Sequence, residues 1–300
     1  MTGPAKPSVW LVGDRGMLGR QVRDALSAAG TAFVGTDREV DITDPDAVES
    51  SFAAFGAGVV INCAAYTAVD RAEDEPEAAF RLNADGPRNL AAAARRTGAR
   101  LIHVSTDYVF PGTRDAPLSE DEPTGPVGVY GRSKLAGEQA VDESGCRFDI
   151  VRTAWLYGEH GPNFVATMLR LMNEREVLKV VDDQVGSPTS ATDLAAFMAL
   201  LASRPDRPSG IYHYSNEGRI SWYEFARAIL EEGTARGLVG GRPAITPCGS
   251  GEYPTKAARP AFSLLSKDKA KRDFGRTIPE WRDSLRRYLD VLASTNGESS

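Results

Sequence analysis

The alternation of apolar and polar positions predicts strands and helices that follow one another through the first half of the chain. Short apolar runs closed by small or polar residues predict buried strands: Ser8–Val12, Ala32–Gly35, Gly58–Cys63 and Leu101–Ser105. Helical spacing or a helix cap predicts helices between them: Leu18–Ala29, Asp44–Phe52, and Glu75–Arg96 with an interruption at Asn83–Gly86. This order predicts an α/β fold in which a doubly wound parallel sheet carries helices on both faces.

The pattern loosens beyond Arg147. Further helices are predicted at Asn163–Asn173, at a capping box that begins at Ser221, and at Pro279–Leu292. A strand is predicted at Gly210–Ser215, and a loop-rich stretch at Gly233–Lys256. We therefore expect a dinucleotide-binding domain over residues 1–150. Residues 151–300 are expected to form mainly a smaller, irregular α/β substrate-binding lobe that interleaves with it.

Composition narrows the class of protein. The chain has 300 residues and a net charge of −6, with no basic stripe of the kind that binds nucleic acid. Its three cysteines lie far apart and show neither metal-ligand spacing nor a disulfide framework. Met1–Pro7 lacks the apolar centre of a signal peptide, and no stretch reaches the length of a membrane span. These features predict a cytoplasmic protein that binds neither nucleic acid nor membrane.

A glycine loop joins the first predicted strand to the first helix. Gly13 is placed to form the tight turn, Gly16 to let the backbone approach a pyrophosphate, and Gly19 to let the helix pack against the strand. The helix N-terminus that follows offers free amides to phosphate. The spacing is G-x-x-G-x-x-G, and such a turn can also be purely structural. Its position between strand and helix favours the Rossmann type of dinucleotide site.

Two neighbouring residues, Asp37 and Arg38, leave open which nicotinamide dinucleotide binds. Asp37 follows the second strand, where a carboxylate binds a free ribose hydroxyl, whereas Arg38 beside it suits a 2′-phosphate. A solvated turn is the alternative for both residues. We expect either NADP(H) or NAD(H) to bind, with a modest preference for NADPH.

Thr106, Tyr130 and Lys134 are the candidate catalytic residues. Tyr130 and Lys134 are four residues apart at the start of a predicted helix and therefore share a face. A neighbouring cation is expected to lower the Tyr130 pKa, and the phenol can give a proton to a carbonyl oxygen while a hydride reaches the carbon. Thr106 ends a strand and is placed to bind the same oxygen. On spacing alone, a solvated helix face is the more common explanation.

With these motifs in place, the sequence resembles the extended short-chain dehydrogenase/reductases and, within them, the dTDP-4-dehydrorhamnose reductase family. The resemblance covers nearly the whole chain. Its more specific segments are NCAAYTAVDRAE from Asn62, STDYVF from Ser105, YGRSKLAGE from Tyr130, RTAWLYG from Arg152 and DDQVGSPT from Asp182. It implies a Rossmann-type fold and NAD(P)H-dependent reduction of the 4-keto group of a dTDP-linked 6-deoxyhexose.

The resemblance also assigns site residues. It makes Tyr130 the proton donor, Lys134 a contact of the nicotinamide ribose, and Thr106 an aid to the carbonyl. The expected cofactor contacts are Gly13, Gly16, Met17, Leu18, Gly19, Asp37, Arg38, Asp41, Ile42, Ala65, Tyr66, Thr67, Tyr130 and Lys134. The expected substrate contacts are Thr106, Asp107, Tyr130, Trp155 and Arg259.

Two alternatives remain beside the leading interpretation of the sequence. One is a related ketoreductase of a secondary-metabolite deoxysugar, and the other is a non-catalytic regulatory subunit on the same fold. An intact Thr106, Tyr130 and Lys134 argues against a regulator. A nucleotide-sugar dehydratase is disfavoured, because elimination needs a second carboxyl group where this chain has Tyr108.

Metal binding is not expected. Some members of the resembled family form a dimer bridged by Mg²⁺ on glutamates, at positions that Gln21 and Thr192 occupy here. A neutral amide and a hydroxyl provide no charge to offset the dehydration of Mg²⁺. We therefore expect a monomer and disfavour a metal-bridged dimer.

Overall fold

The computed structural model describes residues 8–297, so the predicted lack of a signal peptide at Met1–Pro7 concerns residues outside it. The strands in chain order are β1 (Val9–Val12), β2 (Phe33–Thr36), β3 (Val59–Asn62), β4 (Arg100–Thr106), β5 (Arg147–Thr153), β6 (Leu156–Tyr157), β7 (Val177–Val181), β8 (Val185–Gly186), β9 (Thr189–Ser190), β10 (Gly210–His213), β11 (Ile220–Ser221) and β12 (Ala244–Cys248).

The helices in chain order are α1 (Met17–Ala28), α2 (Pro45–Phe55), α3 (Val69–Ala72), α4 (Pro76–Phe80), α5 (Gly86–Thr97), α6 (Val129–Glu143), α7 (Phe164–Glu174), α8 (Ala191–Ala202), α9 (Trp222–Ala235), α10 (Asp268–Phe274) and α11 (Trp281–Gly297). A π-helical turn at Arg81–Asp85 joins α4 to α5, where the sequence predicts an interruption. None of these helices is both long and apolar enough to cross a membrane.

Six parallel strands form the central sheet in the order β2-β1-β3-β4-β5-β10. Val9 and Leu11 point to one face, where α1 and α8 cover them. Trp10 and Val12 point to the other face, where they pack with residues of α2 and α5. Both faces are buried, so these strands are continuous apolar runs rather than alternating ones. The predicted doubly wound α/β architecture is confirmed.

A second apolar core forms beyond the sheet. It combines residues of α7, α9 and α11 with β7, and its centre includes Tyr157, Phe225 and Leu289. The capping box predicted at Ser221 is present, because Ser221 Oγ accepts from the Glu224 amide and the Glu224 carboxylate accepts from the Ser221 amide. These contacts begin α9 at the edge of the candidate site.

The predicted loop at Gly233–Lys256 is wrong in part. Its residues Ala244–Cys248 form β12, which pairs in parallel with β7. Most of β12 is not buried, so it has no apolar alternation by which to predict it. The closing helix also differs, because it runs from Trp281 to Gly297 rather than from Pro279 to Leu292.

A buried ion pair ties the start of β4 to β5. The Arg100 guanidinium donates to both oxygens of Asp149, at 2.6 and 3.0 Å, and both side chains are fully buried. Its other N–H groups donate to backbone carbonyls of Phe148 and of residues 205, 207 and 208. Arg100 thus fixes the segment that leads into β10.

Replacing Arg100 by Met is expected to lower the free energy of unfolding by about 3–5 kcal/mol, because it leaves a buried carboxylate and several carbonyls without this partner. Urea denaturation measures the loss. The matched control is Arg96→Ala, which removes an exposed ion pair with Glu49 and is expected to cost less than about 1 kcal/mol. Equal losses in the two variants would contradict a special role for Arg100.

Candidate active site

A continuous cleft lies at the C-terminal ends of the central strands. The outer part of the cleft, of about 560 Å³, is bordered by the glycine loop and by Asp37, Arg38, Asp41 and Ile42. The inner part, of about 430 Å³, is lined by Thr106, Asp107, Tyr130, Lys134 and Trp155. Gly16, Cys63 and Ala65 line both parts. The structure therefore brings most of the predicted cofactor residues and all three predicted catalytic residues to one cleft.

Two glycines shape the floor of the cleft. Gly13 has a φ of +75°, and a Cβ there would lie 2.7 Å from the backbone nitrogen of Ala64, which follows β3. A Cβ at Gly19 would lie 2.0 Å from the carbonyl oxygen of Gly13. The turn after β1 and the close packing of α1 therefore both require glycine. Gly19 supports the cleft from behind rather than lining it.

The N-terminus of α1 faces the cleft without a side-chain cap. Gly16 is the N-cap residue and supplies no capping side chain, and the first turn carries no acidic residue. Met17 and Leu18, which begin the helix, line the inner part of the cleft. First-turn amides without capping partners and the positive end of the helix dipole together favour an anionic group at this place.

The outer part of the cleft carries both of the residues that the sequence predicts to distinguish NADP(H) from NAD(H). Asp37 and Arg38 line it side by side, and Arg38 is exposed. Asp41 accepts hydrogen bonds from the backbone and hydroxyl of Thr43, which hold the pKa of its carboxyl below the usual range. Ile42 packs closely against Gly86 at the start of α5.

Tyr130 and Thr106 approach each other across the inner part of the cleft. Burial raises the pKa of Tyr130 to about 12, while a hydrogen bond with the Thr106 side chain acts in the opposite direction. Thr106 Oγ1 donates to Asp107 Oδ1 at 3.0 Å. At neutral pH the Tyr130 phenol is therefore protonated, which is the state that a proton donor needs.

Lys134 does not act on Tyr130 as the sequence predicts. Its Nζ donates to the Val104 carbonyl at 2.7 Å and lies 3.3 Å from His103 Nε2. Burial also lowers the pKa of Lys134 to about 8. The expectation that Lys134 lowers the Tyr130 pKa is wrong for this structure, because burial of the phenol raises that pKa and the opposing effect comes from Thr106 rather than from Lys134.

Asp107 and Trp155 also line the inner part of the cleft. Burial raises the pKa of Asp107 to about 6, although hydrogen bonds with Ser263 and Thr106 oppose the shift. Trp155 has a φ of +48°, a strained conformation for a bulky residue. Its ring stacks on Trp222 with a centroid distance of 3.7 Å. This stack holds the strained residue in place.

The remaining predicted residues lie nearby. Ala65 and Thr67 line the inner part of the cleft. Tyr66 borders a neighbouring depression, where its hydroxyl donates to Glu75 at 2.8 Å. Arg259 does not line the cleft and donates to Asp70 Oδ2 at 2.8 Å.

Sequence reasoning did not single out Trp222 or Cys63 as part of the site. Trp222 comes from α9 and reaches the site only through its stack on Trp155. Cys63 lines the cleft at the end of β3, and burial raises the pKa of its thiol to about 12, so it is not a reactive thiolate. The position of Cys63 at the C-terminal end of the predicted strand Gly58–Cys63 is the signal that the sequence offers for it.

Comparisons with known proteins agree over nearly the whole chain. Residues 8–294 match the family described as the RmlD substrate binding domain. A dTDP-4-dehydrorhamnose reductase of Streptomyces griseus is 44% identical in an alignment of 298 residues that covers 96% of this chain and 95% of the relative. One of Mycolicibacterium smegmatis is 45% identical in an alignment of 294 residues that covers 97% of this chain and 86% of the relative.

A solved structure has the same architecture. The crystal structure of dTDP-4-dehydrorhamnose reductase from Bacillus anthracis in complex with NADP matches with a TM-score of 0.89 and 38% identity. The match covers 95% of this chain and 99% of that chain.

Proposed function

Because the chain belongs to the RmlD substrate binding domain family, we propose that it is an NAD(P)H-dependent oxidoreductase that converts dTDP-4-dehydro-L-rhamnose to dTDP-L-rhamnose in the cytoplasm. The observation that carries the proposal is the meeting of Thr106, Tyr130 and Lys134 in a cleft continuous with the glycine loop. A nucleotide sugar and a dinucleotide are the ligands that such a cleft accommodates.

The catalytic residues divide the work of carbonyl reduction. When bound, the reduced nicotinamide supplies the hydride that reaches C4 of the sugar. Tyr130 gives its phenolic proton to the carbonyl oxygen and is reprotonated from solvent. Thr106, whose single O–H donates to Asp107 in the free protein, would turn this donor to the carbonyl oxygen when the sugar binds. Lys134 lies at the floor of the site, where its amino group would contact the nicotinamide ribose.

The residues present fit a dinucleotide. The uncapped amides at the start of α1 suit a pyrophosphate, and the turn at Gly13 keeps side chains out of its way. Residues 1–150 carry this part of the site. Residues 151–300 mainly bind the substrate, with Trp155 against the sugar. Arg259, which pairs with Asp70 outside the cleft, would have to leave that ion pair to reach the nucleotide.

The decisive experiment incubates the purified chain with NADPH and dTDP-4-dehydro-L-rhamnose, measures loss of NADPH and identifies the sugar formed. We expect stoichiometric formation of dTDP-L-rhamnose. A different deoxysugar would favour a secondary-metabolite ketoreductase. No oxidation of NADPH would favour a regulatory subunit.

The control for the mechanism is Tyr130→Phe, which keeps the ring and removes the proton donor. We expect kcat to fall by about 10²–10⁴-fold with little change in substrate KM. Turnover near that of the wild type in this variant would rule out Tyr130 as the donor while leaving the reaction itself intact.

Arg38 is expected to bind the 2′-phosphate of NADPH. It lines the outer part of the cleft, is exposed, and makes no ion pair with another described residue. Arg38→Ala is expected to raise KM for NADPH by about tenfold and KM for NADH much less, since one charge-assisted phosphate contact is lost. Steady-state kinetics with both cofactors measures the difference.

Arg15→Ala is the comparison variant, because Arg15 also lines the outer part of the cleft but forms an ion pair with Glu39 at 3.1 Å. We expect it to change the NADPH-to-NADH ratio less than Arg38→Ala does. Equal increases of KM for NADPH and for NADH in Arg38→Ala would show that Arg38 does not bind the 2′-phosphate.

The site is proposed to work without metal and the protein as a monomer. Thr192 Oγ1 donates to Gln21 Oε1 at 3.0 Å, so these two side chains satisfy each other. The neighbouring Asp193 turns away to Arg287 and Asn216. Among the described residues no group of three His, Cys, Asp or Glu side chains is placed to hold a metal ion.

Activity and mass are therefore expected to be unchanged by EDTA. Turnover with and without chelator tests the first point, and light scattering in the same buffers tests the second. Loss of activity with EDTA, or a dimer that dissociates in it, would contradict this proposal without affecting the assigned reaction.

A further inference from the structure

A buried chain of hydrogen bonds lies behind the catalytic lysine. The Ala64 backbone N–H donates to Asn62 Oδ1 at 3.0 Å. Asn62 Nδ2 lies 3.1 Å from His103 Nδ1, and His103 Nε2 lies 3.3 Å from Lys134 Nζ. Asn62 and His103 are fully buried and Lys134 is 2% exposed. These hydrogen bonds therefore connect Lys134, shielded from solvent, to the loop after β3, which lines the cleft.

The direction of each hydrogen bond follows from its donors. Because the Ala64 N–H can only donate, it fixes Asn62 Oδ1 as the acceptor and turns the Asn62 amide nitrogen toward His103. His103 Nδ1 must then accept. Burial and the neighbouring Lys134 hold the pKa of His103 well below its usual value, so the ring is neutral. A neutral ring that accepts at Nδ1 carries its proton at Nε2.

The Nε2–H group therefore points at Lys134 Nζ. An ammonium has only donors and cannot accept this bond, whereas a neutral amine has a lone pair that can. The amine still donates to the Val104 carbonyl. The other ionisable groups that act on or lie beside Lys134 are Glu138, Cys63 and Tyr130. The Glu138 carboxylate is committed to Arg152 at 2.6 Å, and Cys63 and Tyr130 are both protonated at neutral pH.

We infer that Asn62 and His103 are positioning residues that fix the Nε2–H tautomer of His103 and so favour the neutral amine of Lys134 in the cofactor-free protein. The inference deepens the proposed function, on which its catalytic meaning rests. Its physical content concerns the free protein alone. This series of hydrogen bonds therefore controls the charge of Lys134 at the floor of the cleft, although Asn62 and His103 touch neither cofactor nor sugar.

The first test is NMR of the free protein labelled with ¹⁵N-histidine. The chain has three histidines, which makes assignment practical. His103 is expected as the neutral Nε2–H tautomer at neutral pH. His213 is the internal reference, because its Nδ1 lies 3.0 Å from the Leu118 carbonyl and must donate to it. An Nδ1–H tautomer or an imidazolium at His103 would overturn the inference.

The second test reverses the tautomer. In Asn62→Asp, one carboxylate oxygen still accepts from the Ala64 N–H and the other requires an N–H at His103 Nδ1. His103 Nε2 then presents a lone pair to Lys134. We expect the NMR signal of His103 to change to the Nδ1–H form, and the ¹³Cε titration of Lys134, assigned with Lys134→Met, to rise by about one pH unit or more.

The third test separates the tautomer from the added charge. Asn62→Ala introduces no charge but frees His103 to take either tautomer, so the Lys134 titration should also rise. Ile102→Val, a buried change on the same strand, should leave it in place. A rise in Asn62→Asp alone would assign the effect to the new carboxylate and overturn the inference. Thermal melts confirm that each variant is folded.

Failure of this inference and failure of the proposed function are distinguishable. The tautomer and the lysine titration are measured without cofactor or sugar. A protein with the Nε2–H tautomer that reduces no dTDP-sugar would refute the assigned substrate alone. A competent reductase whose His103 carries its proton at Nδ1 would refute only the role given to Asn62 and His103.

Discussion

The burial of polar side chains on β4 is the constraint on which the rest of the structure depends. Arg100, His103 and Thr106 lie on this one strand and are almost fully buried. Buried polar groups are costly unless each finds a hydrogen-bond partner. The partners come from different parts of the chain: Asp149 and the segment before β10 for Arg100, Asn62 and Lys134 for His103, and Asp107 for Thr106. Meeting these requirements aligns the sheet, α6 and the cleft.

The cleft combines a rigid side with a strained one. On the rigid side, Gly13 and Gly19 let α1, β1 and the loop after β3 approach more closely than any side chain permits. On the other side, Trp155 is held in an unfavourable backbone conformation by its stack on Trp222. Strain of this kind persists only where the surrounding packing determines the conformation. A wall built in this way keeps its shape before substrate arrives.

Electrostatics within the cleft follow from burial more than from pairing. Burial raises the pKa values of Tyr130 and Asp107 and lowers that of Lys134, in each case toward the neutral form. Spacing alone predicted the opposite direction for Tyr130, because it counted the charge of Lys134 and not the cost of desolvation.

The sequence by itself determined the alternation of strands and helices that predicts the doubly wound sheet, the glycine turn at Gly13 and the capping box at Ser221, because the pattern for each lies within a short segment. It also identified Thr106, Tyr130 and Lys134 as candidates, since strand ends and helical spacing are local. Only the tertiary structure decided that Lys134 faces His103, that β12 pairs with β7 and that Trp222 supports Trp155. These contacts join residues that are distant in sequence, and the depth of burial that sets the pKa values exists only once the chain has folded.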